Sequence, residues 1–406
     1  MLANINSAYW YGNTALMFAA KNGHHEVARM LLKSGADIKS VNENGKTALM
    51  LAAENGHHEV TRMLLESGAD TKSVNKSSKI ALMDAAGNGH HEVIRMLLDS
   101  GADSNSANAH GTTALMWAAW YGHHEVARML LESGADTKSA NNDGNTALIW
   151  AGQKGYHEVT RMLLESGVDS NSANSSGDTA LILAAKNGHI EMTRILLDFG
   201  ADTNSANSVG DTALILTVYN GHHEVTRMLL ESGAETNSAN LHGHTALMGA
   251  AQKGHHEVTR MLLESGADTN SANSDGYTAL IHAARGGHDE VTRILLESGA
   301  DANFAKSDGN TALILAAYNG HHEVTRMLLE SGAEINHQNR MGETVMSGAA
   351  FYGYVNIVEL LLQFNANISL QDQNGRTALS RAEERGHQEI VDLLRGHQEV
   401  IPAEHL

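Results

Sequence analysis

Seven pairs of adjacent histidines are the residues in this sequence that most suggest chemistry, because imidazole is a common metal ligand. A metal ion needs imidazole nitrogens at about 2 Å from one point, whereas adjacent residues at a helix start point roughly 100° apart. The pairs recur at multiples of 33 residues, and we expect equivalent pairs in packed helices to lie about 10 Å apart. We therefore predict no metal site and no cofactor. The pairs are His24/His25, His57/His58, His90/His91, His123/His124, His222/His223, His255/His256 and His321/His322.

The recurrence of Ser, Asp and His also raises the possibility of a catalytic triad. A triad needs one oriented constellation of acid, base and nucleophile, and here the three residue types return in similar positions throughout the chain. Neither a phosphate-binding loop nor a dinucleotide-binding fingerprint is present. We predict that the protein is not an enzyme.

The charge balance limits the classes of partner. The 406 residues include 47 acidic and 28 basic ones, with a formal net charge of −19. No cluster of Lys and Arg is available to neutralise a run of phosphates, so we expect no nucleic acid and no anionic membrane as partners. Protein partners with basic or mixed-charge surfaces fit this balance better.

Cysteine use and hydropathy indicate the compartment. The chain has no cysteine, which excludes disulfides and cysteine nucleophiles and agrees with a reducing environment. The opening residues lack the basic and apolar regions of a signal peptide, and no stretch approaches the roughly 18 apolar residues of a membrane helix. We expect a cytoplasmic or otherwise intracellular protein that is a monomer.

A 33-residue repeat organises the chain. Segments that begin with "TAL", or with the variants "IAL" and "TVM", open at residues 14, 47, 80, 113, 146, 179, 212, 245, 278, 311, 344 and 377. This regular spacing predicts one array of twelve repeats over residues 1–395, with a partial finger at 1–13 and a C-terminal tail at 396–406. Repeats of this length bury their apolar faces by stacking on their neighbours.

The unit that opens at Thr113 shows what each repeat should form. Thr113 is suited to cap a short helix, Leu115, Ala118 and Ala119 supply its packing face, and Gly122 ends it. A second helix should start near Glu125, with Val126, Met129 and Leu130 at apolar spacing. After Gly134 the chain turns back through a hairpin in which Gly144 is expected to have a positive φ. Of the 39 glycines, 33 occupy three such turn positions.

These residues, approximately T-A-L-x-x-A-A-x-x-G-H-H-E-V-T-R-M-L-L-E-S-G-A-D, resemble the ankyrin repeat, whose core is T-P-L-H-x-A-A, G-H-x-E-V-V and L-L-x-x-G-A-D. The resemblance covers nearly the whole chain. It implies an all-α solenoid of helix-turn-helix units, with inner helices on a concave face and projecting hairpin fingers. It also implies that the first histidine of each pair is a structural turn residue bonded to neighbouring backbone. The chain departs from the family pattern in having Ala for Pro and Met or Ile for His.

Two repeats depart from the others. The repeat near Lys76 has Ser78 in a glycine position, Ile80 in the capping threonine position and Asp84 before "AA". The last inner helix carries Arg381, Glu383, Glu384 and Arg385, and we interpret these as a solvated cap of the array.

The positions that vary between repeats indicate the binding surface. They are the finger residues, the residue before "AA" and the two residues before "GH", which in the family line the fingers and the concave face. Tryptophan and tyrosine are frequent interface hot spots, and most of the aromatic residues lie at these positions. The candidate partner-binding residues are Trp10, Tyr11, Trp117, Trp120, Tyr121, Trp150, Tyr219, Tyr277, Tyr318, Phe351 and Tyr352.

We therefore predict a non-catalytic protein-interaction scaffold. One alternative is a regulatory, adaptor or host-directed effector protein that recruits a target to an activity carried by another chain. A second is that the variable positions are tolerant surface that has drifted after duplication. The family resemblance also raises a minor role as the substrate of an asparaginyl hydroxylase at Asn204 or Asn270.

Overall fold

The computed structural model describes residues 5–400, and the side chains of residues 5–397. This part of the chain holds 24 α-helices in pairs and a short 3-10 helix at Trp10–Gly12, with only isolated β-bridges such as Ala107 to Thr113. The predicted all-α fold is confirmed. The helices are α1 (Ala15–Asn22), α2 (His25–Lys33), α3 (Ala48–Glu54), α4 (His58–Glu66), α5 (Ala81–Gly87), α6 (His91–Asp99), α7 (Ala114–Tyr121), α8 (His124–Glu132), α9 (Ala147–Lys154), α10 (His157–Glu165), α11 (Ala180–Lys186), α12 (Ile190–Asp198), α13 (Ala213–Asn220), α14 (His223–Glu231), α15 (Ala246–Lys253), α16 (His256–Glu264), α17 (Ala279–Gly286), α18 (Asp289–Glu297), α19 (Ala312–Tyr318), α20 (His322–Glu330), α21 (Val345–Tyr352), α22 (Val355–Gln363), α23 (Ala378–Arg385) and α24 (Gln388–Val400).

Contacts divide the chain into two units, one up to Ser208 and one from Val209. Within each unit the first helix of a repeat, here called the inner helix, packs against the inner helix of the next repeat and against its own second, outer helix. Outer helices likewise pack against one another. The helix α24 continues five residues past the expected array end at 395. Residues 1–4 of the expected partial finger and 401–406 of the expected tail lie outside the described residues.

The inner helices begin and end as the sequence predicts. In α7 the Thr113 hydroxyl accepts a hydrogen bond from the Met116 backbone N–H at 3.4 Å. The predicted face of Leu115, Ala118 and Ala119 is fully buried. Gly122 ends the helix with φ of 75°, and a β-carbon there would lie 2.5 Å from the ring of Tyr156. Glycine is therefore required at this turn for its backbone conformation and for space.

The outer helices bury a slightly different face from the predicted one. In α8, Val126 and Leu130 are buried as expected, whereas Met129 is only half-buried and Ala127 is buried in its place. The predicted face was therefore wrong at Met129. The helix packs against its own inner helix and against the outer helices on either side, so its buried face is wider than one row of apolar residues.

The interpretation of the last inner helix was partly wrong. Glu383, Glu384 and Arg385 on α23 are exposed as expected, but Arg381 is buried. Its guanidinium donates hydrogen bonds to a carboxylate oxygen of Asp372 at 2.7 Å and of Glu343 at 2.6 Å. A position expected to be solvated is thus the centre of an internal charge network, because fingers of two repeats present carboxylates to it.

Candidate protein-interaction surface

Four of the predicted residues lie together on two neighbouring inner helices. Trp117, Trp120 and Tyr121 belong to α7, and Trp150 belongs to α9 at the position equivalent to Trp117. The three tryptophans are half-buried and Tyr121 is exposed. We call these four residues the aromatic patch.

The rings of the aromatic patch contact one another. Trp117 stacks on Tyr121 with 6.0 Å between ring centroids, and Trp150 lies 6.0 Å from Trp117 and 5.0 Å from Trp120. Edge and stacked aromatic pairs at these distances are favourable and hold each other in place. The patch is therefore a preorganised aromatic surface that loses little side-chain entropy on contact with a partner.

Two lysines cover faces of these rings. The ammonium of Lys79 lies 4.1 Å from the ring centroid of Trp117, and that of Lys154 lies 4.0 Å from the ring centroid of Trp120. These are cation–π distances. Neither lysine was singled out from the sequence, although Lys79 precedes its repeat's inner helix and Lys154 ends α9.

A second group of predicted residues lies together in the unit that begins at Val209. The ring centroids of Phe351 and Tyr352 on α21 are 5.0 Å apart, and the ring centroid of Tyr352 lies 5.9 Å from that of Tyr318 at the end of α19. Tyr318 is largely enclosed, and its hydroxyl donates a hydrogen bond to Glu343 at 2.9 Å. Burial, reinforced by the Glu343 carboxylate, raises the pKa of Tyr318 well above its ordinary value. This hydroxyl therefore makes a hydrogen bond inside the protein and is already engaged before any partner binds.

The remaining predicted residues are dispersed. Tyr219 on α13 is exposed and has the ammonium of Lys253 at 4.1 Å from its ring. Tyr277 is half-buried and stacks on His282 at 4.9 Å. Trp10 and Tyr11 lie in the 3-10 helix and are 83% and 75% exposed. Within the unit up to Ser208, Trp10 and Tyr11 lie apart from the aromatic patch.

Several of the turn histidines behave as the resemblance implied. The Nε2–H of His123 donates to the backbone carbonyl of Gly87 at 3.1 Å, and His57 and His90 make the same bond to the preceding repeat. The second histidine of the pair, His124, is exposed beside Glu125. No three His, Asp or Glu side chains converge on a possible metal position within the described residues.

Two polar residues at the register position before "AA" were not among the predicted site residues, although Asp84 was noted as an irregularity of its repeat. His282 on α17 is buried, and this burial, with His244 and Arg285 nearby, lowers its pKa to about 4, so its imidazole is neutral at pH 7. Asp84 on α5 is also buried, and its burial raises the pKa of its carboxyl group. The equivalent residues in the preceding and following repeats are the apolar Leu51 and Trp117. A single acidic residue at an otherwise apolar position was the sequence signal that could have indicated a functional role for Asp84.

The chain belongs to the ankyrin-repeat family. The family model, described as ankyrin repeats in three copies, matches residues 2–75, 67–141, 134–207, 199–273, 247–339 and 331–402. The fold is therefore an ankyrin-repeat solenoid. Ankyrin repeats are generally protein-interaction modules and are typically non-catalytic. The comparison with curated proteins gave no match.

The helices were also compared with the length and apolarity of a bilayer core. Within residues 5–400, none is long and apolar enough to cross it.

Proposed function

We propose that this protein is a non-catalytic scaffold that binds polypeptide partners through the concave face and the fingers of its repeats. The observation that carries the proposal is the aromatic patch, because its three tryptophans and one tyrosine lie on adjacent inner helices with part of each ring open to solvent. Clustered, partly exposed Trp and Tyr are the side chains that contribute most to interface energies. A partner that covers them buries apolar surface, and no loop of the scaffold has to become ordered at an entropic cost.

The net charge supports a preference among partners. With a formal charge of −19, the chain attracts basic surfaces at long range and repels acidic ones. Lys79 and Lys154 already lie over ring faces of the patch, so these faces are able to hold a cation. The patch therefore suits partners that combine basic residues with apolar or aromatic side chains.

A variant that copies neighbouring repeats tests this function without disturbing the stack. Because other repeats have Leu, Gln or Asn at the same registers, such a variant should fold with an unchanged circular dichroism spectrum. We expect its capture of partners from an extract of the producing cells to fall at least about tenfold, since single hot-spot residues contribute about 2 kcal/mol or more. The substitutions are Trp117→Leu, Trp120→Gln, Tyr121→Asn and Trp150→Leu, which copy Leu51, Gln153, Asn88 and Leu183.

A matched control changes an aromatic residue away from the patch. Phe199 follows the outer helix α12, is 39% exposed and stands where most repeats have Ser. Phe199→Ser should leave the set of captured partners as it is in the wild type. An unchanged set in the fourfold variant would contradict the proposed function, and catalytic activity in the captured complex would favour the recruiting adaptor.

A further inference from the structure

An open cleft of about 480 Å³ adjoins the aromatic patch in the unit up to Ser208. It is lined by Glu54 of α3, Asp84 of α5, Trp117 and Tyr121 of α7, and Lys79 of the preceding finger. The cleft thus combines two carboxylates, one ammonium group, the imidazole of His123 and two stacked rings. None of these side chains is needed for the repeat pattern, because other repeats carry different residues at each position.

The carboxylate of Asp84 forms a long ion pair with Lys79 but has no hydrogen-bond donor among the described residues. Its side chain is only 8% exposed, and its Oδ2 atom accepts no hydrogen bond from the described residues. Its Oδ1 atom lies 3.9 Å from the ammonium nitrogen of Lys79, which is too far for a hydrogen bond. A buried acceptor without a donor is costly. A ligand that donates a hydrogen bond to Asp84 therefore gains binding free energy from a bond that the fold does not provide.

Trp117 presents the opposite deficiency. Its indole Nε1–H is buried and has no acceptor among the described residues. Because this N–H and Oδ2 of Asp84 are both buried, the polar atom left for a ligand in the cleft is Oδ1 of Asp84. An arginine side chain supplies donors to this atom, because its guanidinium has five N–H donors in a plane.

Lys79 shows that this cleft accommodates a cation against the ring. Its ammonium lies 4.1 Å from the centroid of Trp117 while remaining unbonded to Asp84. A guanidinium is planar and wider than an ammonium, so it can stack on the ring and reach the carboxylate together. Glu54 is already paired with Lys46 at 2.6 Å, which leaves Asp84 as the unsatisfied acid.

We propose that this cleft binds an arginine side chain of a partner polypeptide, which displaces the Lys79 ammonium, stacks on Trp117 and donates to Asp84. The inference rests on the proposed function, since it assigns the chemistry of one contact in that interface. An acidic side chain is a poorer occupant, because Glu54 and Asp84 would repel it and the chain is strongly acidic overall.

The test uses the full chain labelled with ¹⁵N at the tryptophan indoles. The probe is the peptide acetyl-Gly-Gly-Arg-Gly-Gly-amide, and its neutral citrulline analogue is the matched control. We expect a saturable shift of the Trp117 indole N–H resonance, which is assigned by its loss in Trp117→Leu, and no shift of Trp10. The citrulline peptide should bind at least about tenfold more weakly, because a charge-assisted hydrogen bond is lost.

Two variants determine the roles of the charged groups. Asp84→Asn should weaken binding of the arginine peptide about tenfold or more, whereas Lys79→Met should strengthen it several-fold, because Lys79 competes for the same position. Circular dichroism checks that both variants fold. No Trp117 shift, equal binding of the citrulline peptide, unchanged binding by Asp84→Asn, or weaker binding by Lys79→Met would each overturn the proposal.

The outcomes separate this proposal from the proposed function. If the fourfold patch variant loses its partners while the arginine peptide fails to bind, the arginine site is wrong and the scaffold function remains. If the patch variant keeps every partner, the scaffold function of this surface fails whatever the peptide does.

Discussion

Replacing Arg381 by methionine should lower the local free energy of unfolding around α21 to α24 by up to about 3–5 kcal/mol, the cost of removing one partner of a fully buried ion pair. The arginine side chain is 6% exposed and hydrogen-bonds the carboxylates of Asp372 and Glu343. Methionine retains the apolar stem but leaves the buried Asp372 carboxylate with the more exposed Arg376 as its charged partner, and it removes the guanidinium that bonds Glu343. Because repeat arrays do not unfold in one step, native-state hydrogen exchange of these helices is the suitable measurement.

The pH dependence of this difference follows from the carboxylates. Hydrogen bonds from Arg381 and from the backbone hold the pKa of Asp372 well below its ordinary value, and those from Asn339 and Arg381 lower the pKa of Glu343. A depressed pKa in the folded state contributes stability above the unfolded-state pKa, roughly 4, and this stability is lost as the pH falls through the folded-state value. The gap between the wild type and Arg381→Met should therefore narrow at acidic pH.

An exposed ion pair on the neighbouring helix provides the control. Arg395 on α24 pairs with Glu383 at 2.5 Å, and both side chains are largely exposed. Arg395→Met should change stability by less than about 1 kcal/mol, because exposed pairs contribute little. An equally small loss in Arg381→Met, or a gap that does not depend on pH, would argue against a buried network at this end of the array.

Gly348→Ala should destabilise the protein by about 1–3 kcal/mol, as overpacking does, even though alanine is a better helix former than glycine. A β-carbon at this position of α21 would overlap Cε1 of Tyr318. The tyrosine ring must then move, and its hydroxyl loses the hydrogen bond to Glu343. The change in the midpoint of thermal unfolding gives the sign of the effect.

The matched control is a glycine at the same register of another inner helix. Around Gly249 on α15 a β-carbon would meet only Cγ1 of Val218, at an ordinary contact distance of 3.9 Å. Gly249→Ala should therefore stabilise the protein by about 0.5–1 kcal/mol, through helix propensity alone. The same sign for the two substitutions would show that Tyr318 does not occupy the space beside Gly348.

Features that depend on the repeat were predictable from the sequence. The cap of Thr113, the turn at Gly122 and the backbone bond of His123 recur with the 33-residue period, so one correct interpretation applies to every repeat. For the candidate site, the sequence predicted which repeat positions the residues occupy but not the contacts that they make. The sequence placed Trp117 and Trp150 at equivalent positions, and from this their contact at 6.0 Å follows.

Features confined to one repeat could not be predicted, because they depend on side chains reaching between repeats. Arg381 was expected in solvent, since its position on α23 is open unless neighbouring fingers supply carboxylates at the right height. Asp84 was noted as an irregularity, but its burial depends on how the larger Trp117 and Lys79 lie beside it. The pattern of a single sequence predicts helix faces and turns, but it does not predict the side-chain conformations of residues such as Arg381 and Lys79.

The central claim, that partners dock on the aromatic patch, is tested most directly by site-specific photo-crosslinking. A photoreactive benzoylphenylalanine replaces either Tyr121, in the patch, or Arg128, an exposed residue of the outer helix α8. We expect covalent polypeptide adducts from the Tyr121 position and none of these adducts from the Arg128 position. Excess unlabelled wild-type protein should suppress the adducts, whereas an excess of the fourfold patch variant should leave them. Adducts of equal yield at the two positions, or adducts from Arg128 alone, would contradict the account.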